Sequence, residues 1–191
     1  MVKVKSDASA DLASVRFVRQ KLPDATIAVD ANCAWSGLDL AEIARNLAAL
    51  NVEFIEQPVP RELDDQVNAE SSPLPILADE SCVTEQDVTR VAERYSGFNI
   101  KLVKCGGITP ALRMSRHGRG LGSKLMVGCM LESSCLIAAG AVVAQQTHYS
   151  DLDGAWLIGN DPFSGLPFHK GILTPSGEGL GVLPEPNLFE G

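Results

Sequence analysis

Three acidic residues, Asp30, Glu56 and Asp79, each close a short apolar run, and lysines hold the same place before them at Lys5 and after them at Lys101. These positions lie 25, 26, 23 and 22 residues apart. Carboxylates gathered at one point repel and shift toward neutrality unless a cation joins them. An all-oxygen donor set without Cys or His suits a hard divalent ion, Mg²⁺ rather than zinc. A lysine works as a base only when its pKa falls toward neutrality, through partial burial and nearby positive charge. Lys3, two residues before Lys5, and the metal supply that charge. Lys5 and Lys101 then flank the metal, one taking a proton from a carbon beside a carboxylate held there, the other returning it on the opposite face. That sequence of steps inverts the carbon. Taken singly, each carboxylate also reads as a helix cap or ion-pair partner, and Lys101 as a snorkelling surface lysine, the reading preferred for Lys104.

Strands must bring these residues together. Apolar runs at 2–5, 26–30, 53–56, 75–79, 98–102, 124–130 and 149–153 alternate with helical stretches, among them 10–22, 39–50, a weaker one at 62–70, and 85–94 with Thr84 as its N-cap. Strands too apolar to face water on either side imply a parallel sheet with helices outside. Polar residues closing strand after strand, with Asp153 closing the last, favour a barrel, whose strand ends converge on one mouth. A doubly wound sheet would spread them along a line, and no G-x-G-x-x-G follows a strand. The Gly- and Pro-rich stretch 155–191 is expected to pack across the barrel or its base.

The chain has 191 residues, 45% of them hydrophobic, which fits one domain with a sizeable core. Its net charge of -8, with Lys and Arg scattered, argues against nucleic acid or an anionic membrane as partner. No apolar run approaches the roughly 20 residues of a membrane span. The N-terminus lacks the pattern of a signal peptide, so a cytoplasmic location is expected. Five cysteines without C-x-x-C spacing read as reduced thiols.

The motifs resemble the enolase superfamily, most closely its muconate-lactonizing subgroup. V-K-V-K-S is similar to that family's K-x-K at the second barrel strand, V-D-A-N, I-E-Q-P and A-D-E-S to its three metal-ligand motifs, and N-I-K-L to its sixth-strand motif. The resemblance implies an enolase-type (β/α)7β barrel, a TIM-like α/β fold, with strands two to eight in 1–154 and a C-terminal tail in 155–191. It implies Lys5 as acid/base with Lys3 as its electrostatic partner, Lys101 as the opposing base, and Asp30, Glu56 and Asp79 as Mg²⁺ ligands, with Glu80 behind them. Enolase-superfamily sites are a standard example of a Lys or His base working with Mg²⁺. V-G-C-M-L-E-S-S (127–134) and D-L-D-G (151–154) resemble the dipeptide epimerases, of the L-Ala-D/L-Glu type. Asp151 and Asp153 would there hold a substrate ammonium by charge-assisted hydrogen bonds, and backbone near Cys129 would touch the substrate. His117, His148 and His169 match no family position and read as surface or structural.

Family members normally begin with a capping domain and a first barrel strand, to which nothing in this sequence corresponds. Impaired turnover is therefore expected, along with an unpaired edge at Val2. That edge would be covered by pairing 2–5 with 149–153 or by a homo-oligomer. Two other readings stand beside a dipeptide epimerase. One is another subgroup reaction: o-succinylbenzoate synthesis, N-acylamino acid racemisation or muconate cycloisomerisation. The other is a non-catalytic barrel fragment.

Overall fold

Period-2 alternation is the organising feature of the computed structural model, which describes residues 1–10, 12–174 and 178–186. Seven strands, β1 (Val2–Lys5), β2 (Ile27–Asp30), β3 (Val52–Glu56), β4 (Ile76–Ala78), β5 (Gly97–Lys101), β6 (Lys124–Gly128) and β7 (Tyr149–Asp151), lie side by side in chain order, every neighbouring pair parallel. Helices α1 (Ala13–Lys21), α2 (Leu40–Ala48), α3 (Val88–Ala92), α4 (Leu102–Cys105), α5 (Ile108–Gly120) and α6 (Ser134–Ala144) connect them. Two apolar clusters support the sheet. One gathers Val4, Val15, Ile27, Val29, Leu47 and Ile55, and the other Val88, Phe98, Ile100, Met114, Leu125 and Val127. Burial of these aliphatic and aromatic side chains is the main stabilising term.

The opposite side chains point inward. Ala28, Phe54, Leu77 and Met126 form a buried layer with Tyr149 packed against it. Two residues further along each strand the same face presents Asp30, Glu56, Asp79, Gly128 and Asp151, because side chains alternate with period 2. An apolar floor therefore lies directly beneath a polar rim. The expected α/β architecture holds as a curled seven-stranded sheet, a half-barrel rather than a closed ring.

Several local expectations meet their physical reasons here. Asp39 caps α2, its carboxylate accepting from the Glu42 N–H at 2.9 Å. At 85–94 the helix opens as a short 3-10 turn, with Asp87 accepting from the Val83 and Thr84 N–H groups at 3.0 and 2.9 Å. The weak helix expected at 62–70 is instead two 3-10 segments, Arg61–Gln66 and Ala69–Ser71. Pro60 precedes the first, and Val67 and Asn68, both non-helical, separate the two.

Of the two coverings expected for the edge at Val2, the fold decides one, the pairing of 2–5 with 149–153. β1 and β7 do not pair, so no backbone ladder closes 2–5 against 149–153. What spans the gap is an ion pair between Lys3 and Asp151. Short strands β8 (Phe163–Ser164), β9 (Phe168–His169), β10 (Ile172–Leu173) and β11 (Leu183–Pro184) form two antiparallel pairs. They lie beside α6 and the loop after β7, with Trp156 and Phe168 ring centroids 5.4 Å apart. Among the described residues, no helix is long and apolar enough to cross a membrane.

Candidate active site

The C-terminal ends of β1 to β5 bring Lys3, Lys5, Asp30, Glu56, Asp79 and Lys101 to one mouth. Asp30, Glu56 and Asp79 are all buried. Register explains the juxtaposition: Lys5 stands beside Asp30, and Asp30 beside Glu56. Asp79 follows the last residue of β4, and Lys101 ends β5.

Each of these three carboxylates is answered by ammonium or amide groups, as the ion-pair reading of each one taken singly expects. Lys3 Nζ lies 3.2 Å from Glu56 and 3.8 Å from Asp30. Lys5 Nζ donates to Asp30 at 2.6 Å and to Asn32 Oδ1 at 2.8 Å. Glu56 Oε1 accepts from Asn99 Nδ2 at 2.7 Å. Asp79 accepts from Lys101 at 2.6 Å and from Lys104 at 2.7 Å. Lys104 is thus a partner of Asp79 and not a surface lysine, a correction that helical spacing explains. It follows Lys101 by three residues, one turn later, and both side chains reach the same carboxylate.

Electrostatics follow the geometry. Burial pushes the Glu56 carboxyl above its ordinary value; Lys3 and Asn99 oppose the shift, while Asp30 and Asp79 reinforce it. Burial also works against the charge on Lys3 and on Lys101, yet both pKa values are raised. Glu56, Asp151 and Asp30 outweigh burial at Lys3, and Asp79 does so at Lys101. Contact with Asp79 thus favours the charged form of Lys101. Lys3 and Lys5 also differ in access. Their side chains are 14% and 62% exposed, so Lys3 is built into the interior while Lys5 stands at the opening.

The donors are all hard oxygens, buried and carried on adjacent strand ends, which fits a divalent cation of the Mg²⁺ kind. Among the described residues, Glu80 Oε2, next to Asp79, is buried without a hydrogen-bond partner. No three Asp, Glu, His or Cys residues among those described already converge tightly enough to hold an ion, because the carboxylates are turned to lysines.

Asp151 and Asp153 do not form a free pair. Asp151 is bound to Lys3, while Asp153 precedes the 3-10 turn Gly154–Leu157. Both line a cleft of about 570 Å³ at the seam, together with Lys3, Leu152, Phe168 and Leu173. Cys129 stands close by. Burial pushes its thiol up to about 11, a backbone hydrogen bond at Gly154 opposes this, and the charges of Asp151 and Asp153 add to it. Gly154 is required there, since a Cβ would lie 2.0 Å from the Met130 carbonyl oxygen.

Asn99 and Asn32 carry no role in the sequence reading, and Lys104 carries only that of a surface lysine. Asn99 stands two residues before Lys101, so strand alternation already placed it on the inner face. Its amide occupies space that any side chain at Gly128 would enter, at 2.6 Å. His148 Nδ1 accepts from the Leu125 N–H at 3.0 Å, which agrees with a structural role.

Residues 1–187 match the family described as enolase C-terminal domain-like. An L-Ala-D/L-amino acid epimerase of Maribacter sp. is 42% identical over 186 residues, covering 94% of this chain and 54% of the relative. The L-Ala-D/L-Glu epimerase of Escherichia coli is 39% identical over 173 residues, covering 91% and 54%. A dipeptide epimerase from Cytophaga hutchinsonii, solved in complex with Mg and the dipeptide D-Ala-L-Val, superposes with a TM-score of 0.86 at 29% identity, covering 97% of this chain and 54% of that one. The chain spans about half the length of the curated relatives it matches.

Proposed function

The chain belongs to the enolase C-terminal domain-like family, and from that premise we propose that it is the barrel portion of a Mg²⁺-dependent dipeptide epimerase, inverting an α-carbon by proton transfer between two lysines. The supporting observation is the order around the mouth: a lysine on β1, buried carboxylates at the last residues of β2 and β3 and just after β4, and a lysine on β5. This reading takes 1–154 as the barrel and 155–191 as a tail packed on it, of which 175–177 and 187–191 lie outside the described residues.

Asp30, Glu56 and Asp79 would hold the cation, with Asn99 fixing the Glu56 carboxylate. Mg²⁺ there would supply positive charge to offset the charge of a substrate carboxylate and the negative charge developing beside the α-carbon. Lys5, exposed at the opening, reaches the α-carbon from the β1 side, and Lys101 from the β5 side. Proton removal by one and return by the other on the opposite face inverts the centre. Lys3, held charged by Glu56, Asp151 and Asp30, contributes a fixed positive charge beneath Lys5. The floor of Ala28, Phe54, Leu77 and Met126 excludes water from below.

For substrate, we propose a dipeptide whose free ammonium meets Asp153 and Asp151. An N-acylated amino acid is the second reading, favoured by Lys3 already meeting the charge of Asp151. Incubation of the protein with L-Ala-D-Glu and, separately, an N-acyl glutamate in D₂O with Mg²⁺ separates the two, followed by α-deuterium uptake in NMR spectra. Uptake at the second residue of the dipeptide supports the first reading. Exchange that survives both Lys5→Ala and Lys101→Ala removes the two-lysine mechanism.

A further inference from the structure

Gln57, the residue after Glu56, is fully buried and has a positive φ of 36°. A side chain in this region of backbone space is uncommon and persists where its surroundings hold it. Its backbone N–H donates to the Leu77 carbonyl at 2.8 Å, and its carbonyl accepts from the Cys33 N–H at 2.9 Å. Gln57 therefore ties together the strand ends that carry Asp30, Glu56 and Asp79. The side chain adds a second layer. Oε1 accepts from the backbone N–H of Asp79 at 2.6 Å and of Ser81 at 3.2 Å. Nε2 donates to the Val59 carbonyl at 2.6 Å and to Ser81 Oγ at 2.7 Å, and lies 3.3 Å from the Tyr95 hydroxyl. Only one orientation of the amide satisfies this arrangement, because donors face Oε1 and acceptors face Nε2.

The far end is anchored. Ser81 Oγ and Tyr95 Oη both donate to Asp64 Oδ1, at 2.7 and 2.6 Å. Arg90 donates to Asp64 Oδ2 at 2.5 Å and to the Ser81 carbonyl at 2.6 Å. A buried carboxylate held by an arginine thus fixes the serine and tyrosine that fix the glutamine.

From this geometry we infer that Gln57 is a positioning residue, which sets the placement of Asp79 relative to Glu56 so that both carboxylates can serve one divalent cation. The inference rests on the metal-centre reading above. Outer partners that orient metal ligands typically alter metal affinity by roughly 10- to 100-fold when removed.

The test uses Gln57→Met, which keeps the side-chain length without hydrogen bonds, and the milder Ser81→Ala, which leaves Gln57 in place without its 2.7 Å partner. Mn²⁺ binding is measured by electron paramagnetic resonance, and exchange of the Asp79 and Ser81 amide hydrogens by NMR. Val15→Ala in α1 controls for general destabilisation. Gln57→Met should weaken Mn²⁺ binding by roughly 10-fold or more and speed both amides' exchange, with Ser81→Ala lying between it and the parent and Val15→Ala binding as the parent does. Unchanged affinity or unchanged exchange in a folded Gln57→Met, or an equal loss in Val15→Ala, overturns the inference. If Gln57→Met does not fold, Ser81→Ala decides by the same two readings. A parent protein that binds no Mn²⁺ defeats the metal-centre reading and the inference's cation clause together, while the exchange data separately decide whether Gln57 holds Asp79.

Discussion

On the side of the mouth formed by β2 to β5, Asp30, Glu56 and Asp79 are buried and met by named partners, down to the Gln57, Asp64 and Tyr95 network beneath Asp79, with Glu80 Oε2 and Asn99 Oδ1 as buried atoms without one. On the side formed by the loops after β6 and β7, Met130, Leu131, Trp156 and Leu157 stand exposed, and the sheet ends without a ladder to β1. The contrast suits a division of labour. Buried charge must be held rigidly, because an unpaired polar group in a low-dielectric interior is costly. Groups that meet a variable substrate can sit on exposed loops carried by that rigid frame.

The largest expected effect lies on the rigid side. Lys101→Ala should reduce dipeptide epimerisation by roughly 10²- to 10⁴-fold, the usual range for a general acid or base, as measured by the change in optical rotation over time. An unaltered rate would place the chemistry elsewhere. Next, Phe54→Ala opens the floor beneath the carboxylates and should cost about 3–5 kcal/mol in urea unfolding. Trp156→Ala on the open side should stay within about 0.5 kcal/mol. Equal losses would erase the contrast.

A smaller effect concerns acid. Asp87 is depressed below its ordinary value; burial opposes the shift, and the Thr84 and Val83 N–H groups with Arg61 and Arg90 outweigh it. A depressed carboxyl stabilises the fold above its unfolded pKa and loses that contribution as pH falls through the folded value. The stability gap between the parent and Asp87→Asn should therefore be full at neutral pH and shrink in acid below 3.8, the ordinary value. A gap that widens in acid would contradict the assignment.

The sequence carried much of the rigid side and little of the open one. Asp30, Glu56 and Asp79 were legible because each terminates an apolar run, and strand ends of a parallel sheet converge. Asn99 was equally available through period 2, and Lys104 through its helical offset from Lys101, which the snorkelling expectation overrode. Gln57 could not be found this way, since a positive φ on a side-chain residue is fixed by tertiary contacts and not by local propensity. The seam was illegible for a related reason. Whether β1 meets β7 depends on the curl of the whole sheet, and the Lys3–Asp151 ion pair joins residues far apart in the chain.

The central claim, two lysines acting on opposite faces of one carbon, is tested most directly by following α-deuterium uptake separately for L-Ala-L-Glu and L-Ala-D-Glu in Lys5→Ala and Lys101→Ala with Mg²⁺. The two-sided arrangement predicts that each variant exchanges only one epimer, a different one in each case, without converting it to the other. Exchange of both epimers by either variant would contradict it.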